Sequence, residues 1–210
     1  PYIMEFKYHG KKLLGDSFIY GLSGIITSFI GVFLIPLYTK VFEPSDYGII
    51  ALLGSLQSIV TILIIFGMDN SFGVWYYDNP TEAGKRIAIS NWFFFSLTFG
   101  FFVALLLGLS SYYIAMLLLG NSHLYPLVIL FAINIFLAST QKVLNIWFRV
   151  RRKPVQAVSF NLVISLLAIA LNILFVLKLG IGIPGIYYSV CITSLISLII
   201  TFYILREYIA

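Results

Sequence analysis

Six long apolar runs separated by short polar turns dominate the pattern along the chain, at 17–39, 47–68, 87–109, 126–148, 154–177 and 183–205. A helix rising 1.5 Å per residue needs about 20 apolar residues to cross about 30 Å of hydrocarbon, and every run reaches that length. The predicted fold class is therefore all-α: a six-transmembrane-helix bundle over 16–210, preceded by a polar segment over 1–15. The turn between the first two runs is sharply marked, because FLIPLYTKVFEPSDYG (33–48) sets Lys40, Glu43 and Asp46 between two apolar stretches. Ser45 is the expected cap of the second helix, with Asp46 in its first turn. Residues 87–122 form more apolar sequence than one span needs, so SSYYIAMLLLGNSH, after Leu109, reads as interfacial.

Breakers and aromatic residues agree with these limits. Pro44, Pro126, Pro154 and Pro184 fall at or just before predicted helix starts, where a missing backbone N–H costs little. Pro36 alone falls inside a span; it is a candidate for a kink, which either serves gating or is a plain bend. Trp75, Trp92, Trp147, Tyr187 and Tyr203 cluster toward predicted ends, as interfacial belts do.

Composition adds weight. The chain is 60% hydrophobic and 10% charged with mean hydropathy +1.01, far from the roughly 25% charged residues of a soluble domain. Charge then gives orientation. Lys7, Lys11, Lys12, Lys85, Arg86, Arg149, Arg151, Arg152, Lys153 and Arg206 fall on the face that also holds the N-terminus, against Lys40 and Lys178 on the other. The positive-inside rule predicts both termini in the cytoplasm. The net charge of +5 thus reflects topology and anionic lipid headgroups, and nucleic acid is not an expected partner. The first run is too long for a cleavable signal peptide and reads as its own insertion signal. Cys191, within the sixth run, reads as a small packing residue.

The motifs that carry soluble-enzyme chemistry fail here. LGIGIPG holds GxGxxG at Gly180, Gly182 and Gly185, but no strand precedes it, and a tight turn between spans is the better account. No GxxxxGK[ST] occurs, so no P-loop is expected. His9 and His123 stand without Cys, Asp or Glu at metal-ligand spacing. The expectation is a non-enzyme with no metal and no cofactor, since the loops are also too short to build a catalytic domain.

Polar residues inside the spans are the informative signal. The first span carries Tyr20, Gly24, Thr27 and Gly31 at helical spacing, and the second Gly54, Ser58 and Thr61 with Gln57 beside them. The fifth has Asn161, Ser165, Ala168 and Asn172, and the sixth Ser189, Thr193, Ser197 and Thr201. Such stripes serve either close helix packing or a polar cavity. In the fourth span, Asn134, Ala138, Gln141, Asn145 and Arg149 form one stripe with Lys142 close to the same face. A Lys near a helix centre costs about 2.5–3.5 kcal/mol on insertion scales, so Lys142 either snorkels to the interface or faces a wet cavity. Asp69, in FGMDN, is either a helix-terminal carboxylate or a coupling-ion site. Asp16 reads as a cap.

GDSFIYGLSGIITSFIGVFLIPLYTKVFEPSDYGIIALLGSLQSIV and FGMDNSFGVWYYD together resemble the N-terminal region of bacterial polysaccharide flippases. These form the branch of the multidrug/oligosaccharidyl-lipid/polysaccharide exporter superfamily that includes the O-antigen flippases. WFRVRRKPVQAVSFNLV is similar to that family's turn between its fourth and fifth helices, and GIGIPGIYYSV to the start of its sixth. The resemblance implies one lobe of a two-lobe exporter in the bacterial cytoplasmic membrane, which by alternating access moves an undecaprenyl-diphosphate-linked oligosaccharide between leaflets for surface polysaccharide such as lipopolysaccharide. It implies three partners: membrane lipid, the lipid-linked oligosaccharide and a second six-helix lobe. Lys142, Arg149, Asn145, Gln141, Asn134, Asn161 and Asn172 are the substrate-cavity candidates, Asp69 the coupling-ion candidate and Pro36 the gating candidate. Val74 stands where family members often carry arginine, so no cationic role follows there. A drug or cation antiporter of the same superfamily and a non-transporting half-length fragment are the alternatives.

Overall fold

The computed structural model describes Pro36 and residues 38–209, and every regular element among them is helical. Five stretches of these are long and apolar enough to cross a membrane: Pro44–Asp78, Glu82–Leu109, Ser122–Val150, Pro154–Lys178 and Ile183–Tyr208. They match the second to sixth predicted runs. The first run, with Asp16, Tyr20, Gly24, Thr27 and Gly31, lies outside the described residues except near its end. There Pro36 is exposed and its carbonyl accepts the Thr39 hydroxyl at 3.0 Å.

Helix α1 spans Pro44–Ile65. Its cap is Glu43 and not Ser45. Proline has no N–H and favours the first helical position, which pushes the residue before it into extended backbone, and Glu43 has φ −78° and ψ 161°. The Glu43 backbone N–H donates to Asp46 Oδ2 at 3.0 Å, closing half of a capping box.

The second predicted helix does not stop at Met68. The chain passes through two left-handed residues, Phe66 (φ 47°) and Gly67 (φ 73°), and resumes as α2, Met68–Asp78. Asp69 and Asn70 hide this continuation from a hydropathy reading, but Phe72 and Tyr76, one turn apart, are buried and hold α2 against the bundle.

Helix α3 is Glu82–Leu109, starting five residues before the expected limit, with Gly84 N–H donating to the Thr81 cap at 3.2 Å. Lys85 and Arg86 are helical charges at its end, not loop residues. This shift also moves Trp92 away from the interface: it is 2% exposed, and its ring lies 4.8 Å from that of Phe72. The interfacial stretch is itself helical, as α4 (Ser111–Leu118) and a 3₁₀ turn (Ser122–Leu124).

The fourth predicted helix is two helices, α5 (Tyr125–Ala138) and α6 (Gln141–Val150), broken at Ser139 and Thr140. Helix α7 (Pro154–Asn172) loosens into a π-helical turn over Ile173–Lys178. Gly180 (φ 61°) and Gly182 (φ 73°) then make the tight turn expected of LGIGIPG, leading to α8, Ile183–Ile209.

Two apolar clusters stack along the bundle. One joins Leu53, Val60, Ile64, Phe131, Ile135 and Tyr187; the other joins Phe72, Trp92, Val143, Leu144, Phe148, Phe160 and Leu205. The breaks after Ile65 and after Ala138 both fall between them. The α8 stripe is buried, with Ser189, Thr193, Ser197 and Thr201 all 3% exposed or less. Thr193 and Thr201 return their hydroxyls to the carbonyls of Ser189 and Ser197, so this stripe serves close packing.

Candidate functional site

A cavity of ≈ 270 Å³ opens where the two helix breaks meet. Helix α1 lines it with Gln57, Thr61, Ile64 and Ile65, the end of α5 with Ile135, Ala138 and Ser139, and the start of α6 with Gln141, Lys142 and Asn145. Interrupted backbone is tolerated at membrane depth only where protein covers it or water reaches it. At the α5–α6 break, Ser139 N–H bonds the Phe136 carbonyl at 3.2 Å, one residue short of the helical partner, and the Ser139 hydroxyl donates to the same carbonyl at 2.7 Å. Thr140 is fully buried, with no partner for its hydroxyl among the described residues. Gly100 of α3 permits this geometry, since a Cβ there would stand 2.6 Å from Ser139 Cβ.

Helix α6 divides cleanly. Val143, Leu144, Ile146, Trp147 and Phe148 are buried, while Gln141, Lys142, Asn145 and Arg149 occupy the other face. Asn145 is fixed from both sides: its Nδ2 donates to the Gln141 carbonyl at 3.1 Å, and its Oδ1 accepts from Asn161 Nδ2 of α7 at 2.8 Å. Lys142 Nζ lies 4.0 Å from Asp69 Oδ2, the two side chains being 48% and 26% exposed. The lysine head thus stands at the cavity wall beside one carboxylate, with room for further acceptors.

The structure gathers Gln141, Lys142 and Asn145 at one cavity, with Asp69 and Asn161 each one contact away. Arg149 lies farther along the same face, exposed and outside the lining. Asn134 is 1% exposed and donates to Ser194 Oγ at 3.0 Å, tying α5 to α8 away from the cavity. Asn172 is buried where α7 turns into the π-helix, and its Oδ1 has no partner among the described residues. Gln57, Thr61 and Ser139 were not among the sequence candidates for the site. The first two belong to the polar stripe of the second predicted span, and the third to the Ser-Thr pair that interrupts the apolar pattern at the break.

Away from the cavity, Lys85, Arg86, Arg149, Arg151, Arg152, Lys153 and Arg206 gather at the end of the bundle where α3 starts and α6 and α8 finish. Arg151 joins these elements, reaching Glu82 Oε2 at 3.1 Å and the Tyr208 hydroxyl at 2.9 Å.

Chemically, one cation, three amide side chains and two hydroxyls around a cavity match a ligand that is polar, rich in hydrogen-bonding groups and partly anionic. Among the described residues, no three His, Cys, Asp or Glu side chains come together as metal ligands. No curated protein and no solved structure matches the chain. The sequence profile of the family described as "Polysaccharide biosynthesis protein" matches residues 38–209, which includes every cavity residue. This chain, a multi-pass membrane protein by its apolar helices, therefore belongs to the polysaccharide biosynthesis protein family.

Proposed function

We propose that the chain forms one lobe of a flippase that moves an undecaprenyl-diphosphate-linked oligosaccharide across the bacterial cytoplasmic membrane for O-antigen or related surface polysaccharide. The observation that carries this reading is the polar cavity at the paired helix breaks, with Lys142 at its wall and Asn145 held by Asn161. Sugar hydroxyls leaving water need hydrogen-bond partners, and a diphosphate needs a cation; the cavity offers both. Its ≈ 270 Å³ lies just below the range of about 300–1,000 Å³ usual for a small-molecule cleft. A second lobe facing Lys142 would complete the enclosure and give the two halves that alternating access requires.

The cluster of cations at one end of the bundle supports a cytoplasmic location for that end, and with it the N-in, C-in topology. Asp69 already faces Lys142, which favours a charge partner for the lysine over a free coupling-ion site. The test is complementation of a flippase-deficient strain with the full-length protein. Lys142→Ala is expected to abolish surface polysaccharide at normal membrane levels, and Lys142→Arg to restore part of it. Unchanged export by Lys142→Ala would overturn the assignment.

A further inference from the structure

A second cavity, of ≈ 280 Å³, lies at the cationic end of the bundle and is separate from the proposed transport site. It is framed by Trp147 of α6, by Lys153 from the α6–α7 turn and by Tyr203, Arg206, Glu207 and Tyr208 from the last turns of α8. Each cation lies against an aromatic ring, Lys153 Nζ 5.4 Å from Trp147 and Arg206 Cζ 4.5 Å from Tyr203. Arg151 and Arg86 flank it, 5.3 Å and 5.7 Å from the Tyr208 ring. Trp147 is 6% exposed, and its indole Nε1–H is buried with no acceptor among the described residues. A buried donor without a partner costs free energy unless an acceptor arrives from outside.

We propose that this pocket binds the phosphodiester headgroup of an anionic phospholipid. Three observations converge on that chemistry. Lys153 and Arg206, both lining residues, supply positive charge; Trp147, also a lining residue, carries a buried N–H donor with no acceptor among the described residues; and all of them sit near helix ends. Glu207 opposes an anion in the same pocket, and Glu82 is engaged by Lys85 and Arg151, so cations still outnumber carboxylates. Glu207 also provides a handle of opposite sign. The proposal needs only a membrane-embedded chain and stands or falls independently of what the transport cavity carries.

The test titrates the purified protein in neutral detergent with phosphatidylglycerol or phosphatidylcholine and counts retained lipid by native mass spectrometry. Preference for phosphatidylglycerol is expected, weakened about fivefold by each of Lys153→Gln and Arg206→Gln, following about 1 kcal/mol per cation at a membrane surface. Trp147→Phe keeps the ring and removes the donor, and is expected to weaken retention severalfold. Glu207→Gln is expected to tighten it, an outcome that a misfolded variant does not produce. Equal retention of the two lipids, or unchanged retention by the Lys153 and Arg206 variants at wild-type melting temperature, would overturn the proposal. Displacement of phosphatidylglycerol by inorganic phosphate would also overturn it, leaving a soluble-anion site in place of a lipid site.

Discussion

Asp69 and Lys142 face each other across two broken helices, Oδ2 to Nζ at 4.0 Å, each residue standing two positions beyond the left-handed or interrupted backbone that ends the preceding helix. The pair therefore bridges the elements that begin after the breaks, α2 and α6. At 4.0 Å and partly exposed, such a pair contributes on the order of 0–1 kcal/mol to stability, less than the about 2.5–3.5 kcal/mol that insertion scales assign to a lysine near a helix centre. On the proposed function the larger return is chemical: a cation held at the cavity wall by a partner that an incoming phosphate would displace.

The two charges should then separate in a transport assay. A hydrogen bond to a charged group is worth about 1.5–3 kcal/mol, so Lys142→Ala should lower the flipping rate of labelled lipid-linked oligosaccharide in proteoliposomes by about ten- to a hundredfold. Asp69→Asn removes only the competitor and should keep most of the rate. Loss of transport in Asp69→Asn with Lys142→Ala active would point instead to Asp69 as the coupling site of an antiporter.

Gly100 is where α3 approaches the α5–α6 break. A methyl group there would stand 2.6 Å from Ser139 Cβ and 2.9 Å from its Oγ, so neighbouring backbone must shift. Gly100→Ala should cost about 1–3 kcal/mol, read as a lower melting temperature in detergent. Ser139→Gly should recover much of the loss, whereas Ser139→Ala should not, because the closer obstacle is the Cβ itself.

The breaks explain what was legible in the sequence and what was not. Apolar length and proline placement mark the starts of five of the predicted runs to within a few residues, because insertion into hydrocarbon depends on total hydropathy. The interruption at Ser139 and Thr140 escaped that reading, since a Ser-Thr pair hardly changes the hydropathy of a run as apolar as YPLVILFAINIFLA. The second run reads as ending at Met68 because Asp69 looks like a boundary, although Phe72 and Tyr76 anchor a further helix, α2, beyond the break. For the site, the i, i+4 spacing of Gln141 and Asn145 with Lys142 between identified the face that lines the cavity. Asn134 has the same spacing but lies before the break, and it turns to Ser194. Arg149 shares the face but stands beyond the reach of the cavity.

Two glycines of one segment should respond oppositely. Gly67 has φ 73°, and no atom lies within 4 Å of where its Cβ would be, so Gly67→Ala meets backbone strain alone and should cost about 1–2 kcal/mol. Gly73, inside α2, is equally free of neighbours and is not left-handed, so Gly73→Ala should stabilise by about 0.5–1 kcal/mol. Chemical denaturation of the two variants in one detergent would separate strain at the break from ordinary helix propensity.

Asn145 and Asn161 should be coupled energetically and not merely neighbours. The Asn161 Nδ2–H bond to Asn145 Oδ1 at 2.8 Å links α6 to α7 beside the cavity, while Asn145 Nδ2 is held by the Gln141 carbonyl. Membrane hydrogen bonds of this kind average about 0.6 kcal/mol in double-mutant cycles and reach about 1.7 kcal/mol. Because Asn145 is oriented at both ends, a coupling in the upper half of that range is expected from Asn145→Ala, Asn161→Ala and the double variant. Additive losses would mean that the two amides act separately, and Asn161 would then lose its part in positioning the cavity wall. A measured coupling together with reduced transport by Asn161→Ala, which does not itself line the cavity, would show that the α7 amide acts by holding Asn145 in place.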